Sequence, residues 1–234
     1  MGDKGTKRYD VVVPGGLGGA PVAPEPLGWA SLMVKNLLIL PCDDKFVAAK
    51  DFSCSPDGHY TCAAKREDGL WVVLYFTPSN TFPVKSVPHA LVLGLTLASQ
   101  PPQPYYVGYP EGEADKQPRV YWGKRMGESF NTINHDELRW FDGEPAYPAS
   151  LDDKAYVIQG TRMSEPCDEV LPPLQFVAGR ILYRARFGGK VVLFWGTARS
   201  RPCDQIAVPI SNDKEILAGG IEGTKLYRLS FKLK

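Results

Sequence analysis

Apolar residues alternate with polar ones in short runs, and glycine or proline breaks nearly every run before it reaches helical length. That rhythm is the mark of half-buried strands joined by tight turns. Phe46 to Phe52 and Tyr60 to Lys65 read as strands around the turn Pro56-Asp57-Gly58. Leu70 to Phe76 is a dense apolar strand that stops at Pro78. Ala90 to Leu97 is another, followed by the breaker Gln100-Pro101-Pro102-Gln103-Pro104. Earlier, Tyr9 to Val13 and Leu32 to Leu40 read as strands. In the less regular middle, Val120-Tyr121-Trp122 and Leu138-Arg139-Trp140-Phe141 are strands, Pro145 and Pro148 open a loop, and Ala155 to Gln159 resumes the pattern.

The clearest local signal is a hairpin from Gly179 to Gly196. Ile181, Tyr183, Ala185 and Phe187 alternate with Leu182, Arg184 and Arg186, and Gly188-Gly189 supplies the two positive-φ positions of a two-residue turn. The predicted register sets Phe187 opposite Lys190, Arg186 opposite Val191, Arg184 opposite Leu193 and Leu182 opposite Trp195. Ile181, Tyr183, Ala185, Val192 and Phe194 then form a core face. The opposite face mixes Arg184 and Arg186 with Val191, Leu193 and Trp195. A last strand runs through Tyr227, Leu229, Phe231 and Leu233. One short helix is predicted, Lys214 to Ala218, with Ser211 or Asn212 as its N-cap and Gly219-Gly220 as its stop. No repeat of fixed period is read, so neither a solenoid nor a propeller is expected. The organisation predicted is an extended arm or edge strand over residues 1–30 and a single β domain over 31–234.

Composition supports this. The 234 residues are 44% hydrophobic, with 23 glycines and 21 prolines, enough for a sizeable core and too broken for long helices. The net charge of +1 leaves no broad electrostatic footprint for nucleic acid. Ala90 to Ala98 is too short to cross a bilayer as a helix, and the polar, basic start Met1 to Tyr9 does not read as a secretory leader. Five cysteines form no CxxC pair, so no metal site is expected. Cys54 and Cys62 flank a turn-like sequence, which leaves a disulfide or two buried thiols as alternatives.

Catalytic signatures are missing from the pattern. Tyr9 to Ala20 enters a glycine turn as dinucleotide-binding folds do, but Pro21, Pro24 and Pro26 forbid the helix such a site needs, and no cofactor is expected. His59, His89 and His135 lie in turn-like contexts without a nucleophile elbow or a His-Glu-x-x-His helix. Asp43-Asp44 and Asp152-Asp153 read as turn residues, and no catalytic residue is assigned. Binding is the better-supported chemistry. Sugars are held by hydrogen bonds and by an aromatic face under their C–H side, with arginine capturing any carboxylate. Trp195 with Arg184 and Arg186 makes such a platform if that hairpin face is open, and a second core layer if it is covered. Arg199-Ser200-Arg201 follows a strand end, where loops carry recognition.

The stretch Arg180 to Thr197 resembles the strand–glycine turn–strand of the receptor-binding lectin head of rotavirus outer-capsid spikes. Phe187, Gly188, Gly189, Lys190, Val191, Phe194 and Gly196 fit that family's pattern, with Val192 at its tryptophan position. Leu70-Trp71-Val72-Val73 through Thr77-Pro78 and Phe82-Pro83-Val84 is similar to the family's Phe-Trp strand and Pro-containing loop. Leu37 to Phe52 lies on its opening hairpin and Lys225 to Phe231 on a late strand, while Pro101 to Pro173 matches poorly, as in a member outside the best-known group.

The resemblance implies a galectin-like sandwich of two antiparallel sheets with at most one or two short helices. It also implies a place on the virion outer capsid, joined to the rest of the spike, and attachment to host cell-surface glycans without membrane insertion by this domain. Its glycan site implies Arg199, Ser200 and Arg201, with Lys85 nearest to the position of a further arginine. Because that spacing is two residues longer, no particular sugar follows. Two other readings stand beside it: a capsid protrusion making mainly protein contacts, and a cryptic hydrolase.

Overall fold

The structure, a computed structural model, describes residues 46–79, 83–112 and 117–233. Apart from one 3-10 turn, His135–Glu137, every regular element among them is a strand, and all strand pairs are antiparallel. The strands expected at Tyr9 to Val13 and Leu32 to Leu40, the 1–30 arm and the glycine turn at Gly15 lie outside the described residues.

The first unit comprises β1 (Phe46–Cys54), β2 (Tyr60–Arg66), β3 (Trp71–Phe76) and β4 (Val84–Lys85). The second has β5 (His89–Ser99), β6 (Pro102–Pro110), β7 (Arg119–Trp122) and β8 (Arg125–Met126). The third has β9 (Thr132–Ile133), β10 (Arg139–Phe141), β11 (Glu144–Leu151), β12 (Lys154–Gln159) and β13 (Arg162–Met163). The fourth has β14 (Glu169–Val177), β15 (Arg180–Phe187), β16 (Lys190–Trp195) and β17 (Ala198–Arg199). The fifth has β18 (Gln205–Ile206), β19 (Ile210–Ser211), β20 (Glu215–Glu222) and β21 (Lys225–Lys232). The all-β, sandwich-like class is as expected. The described strands form four sheets where two were expected, because β3 pairs with β5 and joins the first two units into one eight-stranded sheet.

Each junction between units is a bent segment that serves two neighbours. Ser86, Gly127, Ser164 and Ser200 each donate their N–H to the strand behind them, at the carbonyls of Val73, Val120, Val157 and Leu193 (2.8–2.9 Å). Three residues further on, His89, Phe130, Cys167 and Cys203 still lie opposite that same strand, at Trp71, Pro118, Ala155 and Val191. The next residue has crossed over: the N–H groups of Asn131, Asp168 and Asp204 reach the carbonyls of Ser150, Arg186 and Ile221 in the following unit. This corrects the expectation of no repeat. Lys154 to Val170 lies over Lys190 to Ile206 at constant offset, sharing Lys, Gly-Thr, Ser and Pro-Cys-Asp. The second unit carries Gly127, Phe130 and Asn131 at these positions, so what recurs there is hydrogen-bond geometry rather than residue identity.

The core is a series of layers between successive sheets. Tyr105, Val120, Trp122, Phe130, Ile133 and Tyr147 fill the first. Ala146, Val157, Leu174, Ile181, Tyr183 and Phe194 fill the second, and Leu182, Leu193, Trp195, Ile206, Ile216 and Leu229 the third. Each fully buried large side chain contributes roughly 1.5–3 kcal/mol of transfer free energy. The predicted hairpin register is the observed one at every pair, and Gly188 and Gly189 hold φ of 54° and 82°.

Several local expectations are corrected. Glu215–Glu222 is a strand, not a helix: Ile216 and Ala218 alternate inward opposite Phe231 and Leu229. The Asn212 side chain does accept from the Lys214 and Glu215 N–H groups, as an N-cap would, but it closes a turn between β19 and β20. Pro145 and Pro148 lie inside β11. Their carbonyls accept from Gly160 and Asn134, so their ring nitrogens face the end of β12 and the break between β9 and β10, where a missing N–H is tolerated. Likewise Pro102 and Pro104 fall within β6 rather than in a breaker. His89 is a fully buried strand residue, not a turn residue. Cys54 pairs with Tyr60 and Cys62 with Leu74, so the two cysteines are not opposite each other, and both are free thiols.

Candidate binding surface

The junctions between the third, fourth and fifth units are held by the same polar clasp. Asp168 accepts from Lys154 Nζ (3.0 Å) and the Gly188 N–H (2.7 Å). Asp204 accepts from Lys190 Nζ (2.6 Å) and the Gly223 N–H (2.6 Å). The lysine hydrogen bond, then the turn amide, holds each carboxyl below the usual aspartate range, and the aspartate in turn raises each lysine. Asn131 does the same with its amide oxygen, accepting from the Asp152 N–H (3.0 Å). Asp152 and Asp153 are turn residues as expected, both at positive φ. The clasp has a structural role, since both oxygens of each aspartate accept from groups of the chain itself.

The residues singled out for glycan binding fall into different environments. Trp195 is 9% exposed; its Nε1 donates to the Val177 carbonyl, while its ring meets the Arg180 guanidinium (4.8 Å) and Phe231 (6.1 Å). The second-layer alternative for this hairpin face is therefore the one realised. Arg184 donates to the Ile206 and Pro172 carbonyls, and its burial lowers its affinity for a proton. Arg186 is paired with Glu169 (3.0 Å). Ser200 Oγ accepts from the Leu193 N–H (3.0 Å) and donates to the Arg201 carbonyl (2.8 Å). Arg201 pairs with Glu222 and lies 3.9 Å above the Tyr227 ring. Lys85, on β4 of the eight-stranded sheet, is separated from Arg199 by the five-stranded sheet packed between them.

Arg199 is more open to solvent than Arg186 or Arg201, with 70% of its side chain exposed and Glu165 at 4.0 Å. Sequence reasoning missed its neighbour by architecture. Arg162, on the equivalent hairpin of the preceding unit, is also 70% exposed and pairs with Glu144 at 3.1 Å. Both arginines follow a Gly-Thr turn, and that shared dipeptide was the available signal. Beyond the last hairpin, Gln205, Ile206, Ala207, Gly219, Ile221 and Leu226 line a shallow recess of about 220 Å³.

Among the described residues no group of three or more His, Cys, Asp or Glu side chains is arranged to hold a metal ion. No described helix is long and apolar enough to cross a membrane. Tyr75 Oη donates its one proton to the Pro102 carbonyl (2.6 Å), which leaves His59 Nδ1 as the donor to Tyr75 Oη (2.6 Å), and an Asp57 carboxylate oxygen lies 3.8 Å from His59 Nε2. Ser55 is turned to Asp57 and the His59 backbone, not to the imidazole, so the cluster braces the β1–β2 turn and lacks a nucleophile–base contact. No family model matches the chain, and no curated protein matches it either.

Proposed function

We propose that this domain acts by binding rather than catalysis, as the glycan-attaching head of a viral outer-capsid spike. One observation carries the glycan reading: the equivalent hairpins of two successive units each carry a solvent-exposed arginine with a carboxylate nearby, Arg162 with Glu144 and, one position further along its hairpin, Arg199 with Glu165. Such a pair offers fixed donors and acceptors together, the combination that holds vicinal sugar hydroxyls. Because each cation already has a carboxylate near it, a neutral sugar fits these hairpins better than a sialylated one. Strands on both sides fix the backbone of each pair, so that only the side chains remain to be ordered on binding.

A glycan array spanning sialylated, fucosylated and lactosamine types tests the reading. Binding is expected, and Arg199→Ala with Arg162→Ala should each weaken it while thermal unfolding is unchanged. Absence of binding above background would remove the glycan role. A second reading, a capsid or structural domain making protein contacts, is favoured by the exposed apolar side chains Val208 and Ile210, at 50% and 69%. Concentration-dependent association abolished by Ile210→Ser would select it.

A further inference from the structure

We propose that the junction between the first and second units is an acid-sensitive hinge: a proton taken up by His89 opens the seam between β3 and β5 and frees β1–β4 from the strands that follow, while the later junctions stay closed. The inference is independent of the glycan reading.

The four junctions share one geometry but not one chemistry. Where the second, third and fourth carry Phe130, Cys167 and Cys203, each buried in the apolar layer that joins its two units, the first carries His89. His89 is fully buried as well. Its imidazole lies edge-on to the rings of Tyr106 and Tyr121 (5.4 and 4.7 Å between centroids), with Nε2 3.1 Å from Tyr106 Oη. Nδ1 has no hydrogen-bond partner and packs on the backbone of Gly108, where an added Cβ would stand 2.8 Å from it. A charged imidazole donates from both nitrogens, so the second N–H would meet Gly108 in place of an acceptor.

The elements around the ring offer the charge no compensation. β6 contributes Tyr106, Gly108 and Pro110; β7 contributes Tyr121 and, opposite Gly108, Arg119. β3 contributes Trp71, over which Lys50 of β1 and Lys65 of β2 stand. The charged members of this set are all cations. Flanking carboxylates, on Asp51, Glu67, Asp68 and Glu111, belong to exposed residues, and Asp51 and Asp68 are paired with Lys50 and Arg66. Burial accordingly pushes the ring's proton affinity down. The seam is also the thinnest of the four. Among the described residues its layer is Ala63, Val73, Val92, Leu95 and Tyr106, five buried side chains against nine or more in each of the others. Between β3 and β5 the ladder is the single pair Trp71 with His89. Further ties are side-chain hydrogen bonds that water can replace, from Lys50 Nζ to the Val92 carbonyl (2.7 Å) and from the Leu97 N–H to Ser53 Oγ (3.2 Å). The group that binds a proton only when exposed thus sits at the weakest of the junctions.

Amide hydrogen exchange of the full chain at pH 7 and pH 5 tests this, with each rate divided by the intrinsic rate at that pH. It is followed over times at which the central amides of β15 and β16 stay protected, so that global unfolding does not contribute. Opening restores the ring's ordinary affinity near 6.5, against about 4 in the closed seam. Protection of the Trp71, His89 and Leu97 amides should therefore fall about twentyfold between the two pH values. The Ala155, Cys167, Val191 and Cys203 amides, at the equivalent pairs of the later junctions, should change by less than about twofold. His89→Gln, which has no ring to protonate, should hold protection of the seam constant across the same span. Parallel losses at every junction, no loss at the first, or the full loss in a folded His89→Gln protein would each overturn the proposal. Should that variant not fold, the contrast among junctions in the unaltered chain decides the matter.

Discussion

Replacing Ser200 by alanine isolates the physics of the bent junctions. Where the chain peels away from β16 toward Pro202, the Leu193 amide faces it without a backbone carbonyl in reach, and Ser200 Oγ takes that place at 3.0 Å. Leu193 is fully buried, so the variant strands an amide where no solvent replaces the lost acceptor. The Arg201 carbonyl, which receives the hydroxyl proton, lies on an exposed residue and regains water at little cost. A buried donor left unpaired costs about 1–3 kcal/mol, so a loss of about 2 kcal/mol is expected. For a chain of this size that lowers the melting temperature by about 4–8 °C. Urea unfolding at constant m-value measures it directly. Ser164 makes the same bonds to the Val157 N–H and the Glu165 carbonyl, so Ser164→Ala should cost a similar amount. The double variant should be additive within about 0.5 kcal/mol, since the two sites share no partner. Ser200→Thr keeps the oxygen and should stay near the parent. An unchanged midpoint for Ser200→Ala, or an equal loss in Ser200→Thr, would refute the reasoning. Sugar affinity of the folded Ser200→Ala protein should be unaltered, because both of that hydroxyl's bonds are internal.

Three further outcomes follow from burial. Desolvation pushes His89 down from 6.5 to about 4, so the unfolded chain alone binds that proton between those values. Stability should therefore fall as pH drops from about 6.5 to about 4, by an amount on the order of 3 kcal/mol, and a His89→Gln variant retaining the full slope would contradict this. Among the described thiols, exposed Cys54 should react quickly with an alkylating reagent at pH 8, while burial holds Cys62 at about 12 and Cys167 at about 11; equal labelling of Cys62 and Cys54 in the native protein would be the adverse result. Gly220→Ala should destabilise by about 1–3 kcal/mol, because an added Cβ would stand 2.7 Å from Cys203 Sγ and 3.1 Å from Leu229, and a neutral midpoint would show that β20 can shift away.

Strand content and the central hairpin were legible because they rest on local rules. Period-two alternation and a Gly-Gly turn fix Phe187 opposite Lys190 without help from the rest of the chain. The region 214–218 was misread because Asn212 makes the same two side-chain bonds in a tight turn as at a helix start, and only the pairing with β21 decides between them. Pro145 and Pro148 looked like loop formers because their neighbours' ends and breaks are not visible in one-dimensional order. The binding surface was least legible of all. Whether Trp195 faces solvent depends on Ile216 and Leu229, which arrive from a strand pair far along the chain and cover it. The Arg162–Glu144 pair likewise needs the fold to bring its partners together, though the recurring Gly-Thr would have pointed to the hairpin.

Because each bent segment belongs to the sheets on both sides of it, no cut between neighbouring sheets leaves two whole pieces. Severing the backbone at Asp168 would strip one sheet of its edge and the next of its opening strand together, whereas the reversal at Gly188-Gly189 interrupts neither ladder. Split halves or a relocated terminus should accordingly be tolerated at such reversals and not at the shared corners. Lengthening the molecule by duplication would have to copy from one corner to the next, so that every added block brings the clasp that receives its successor.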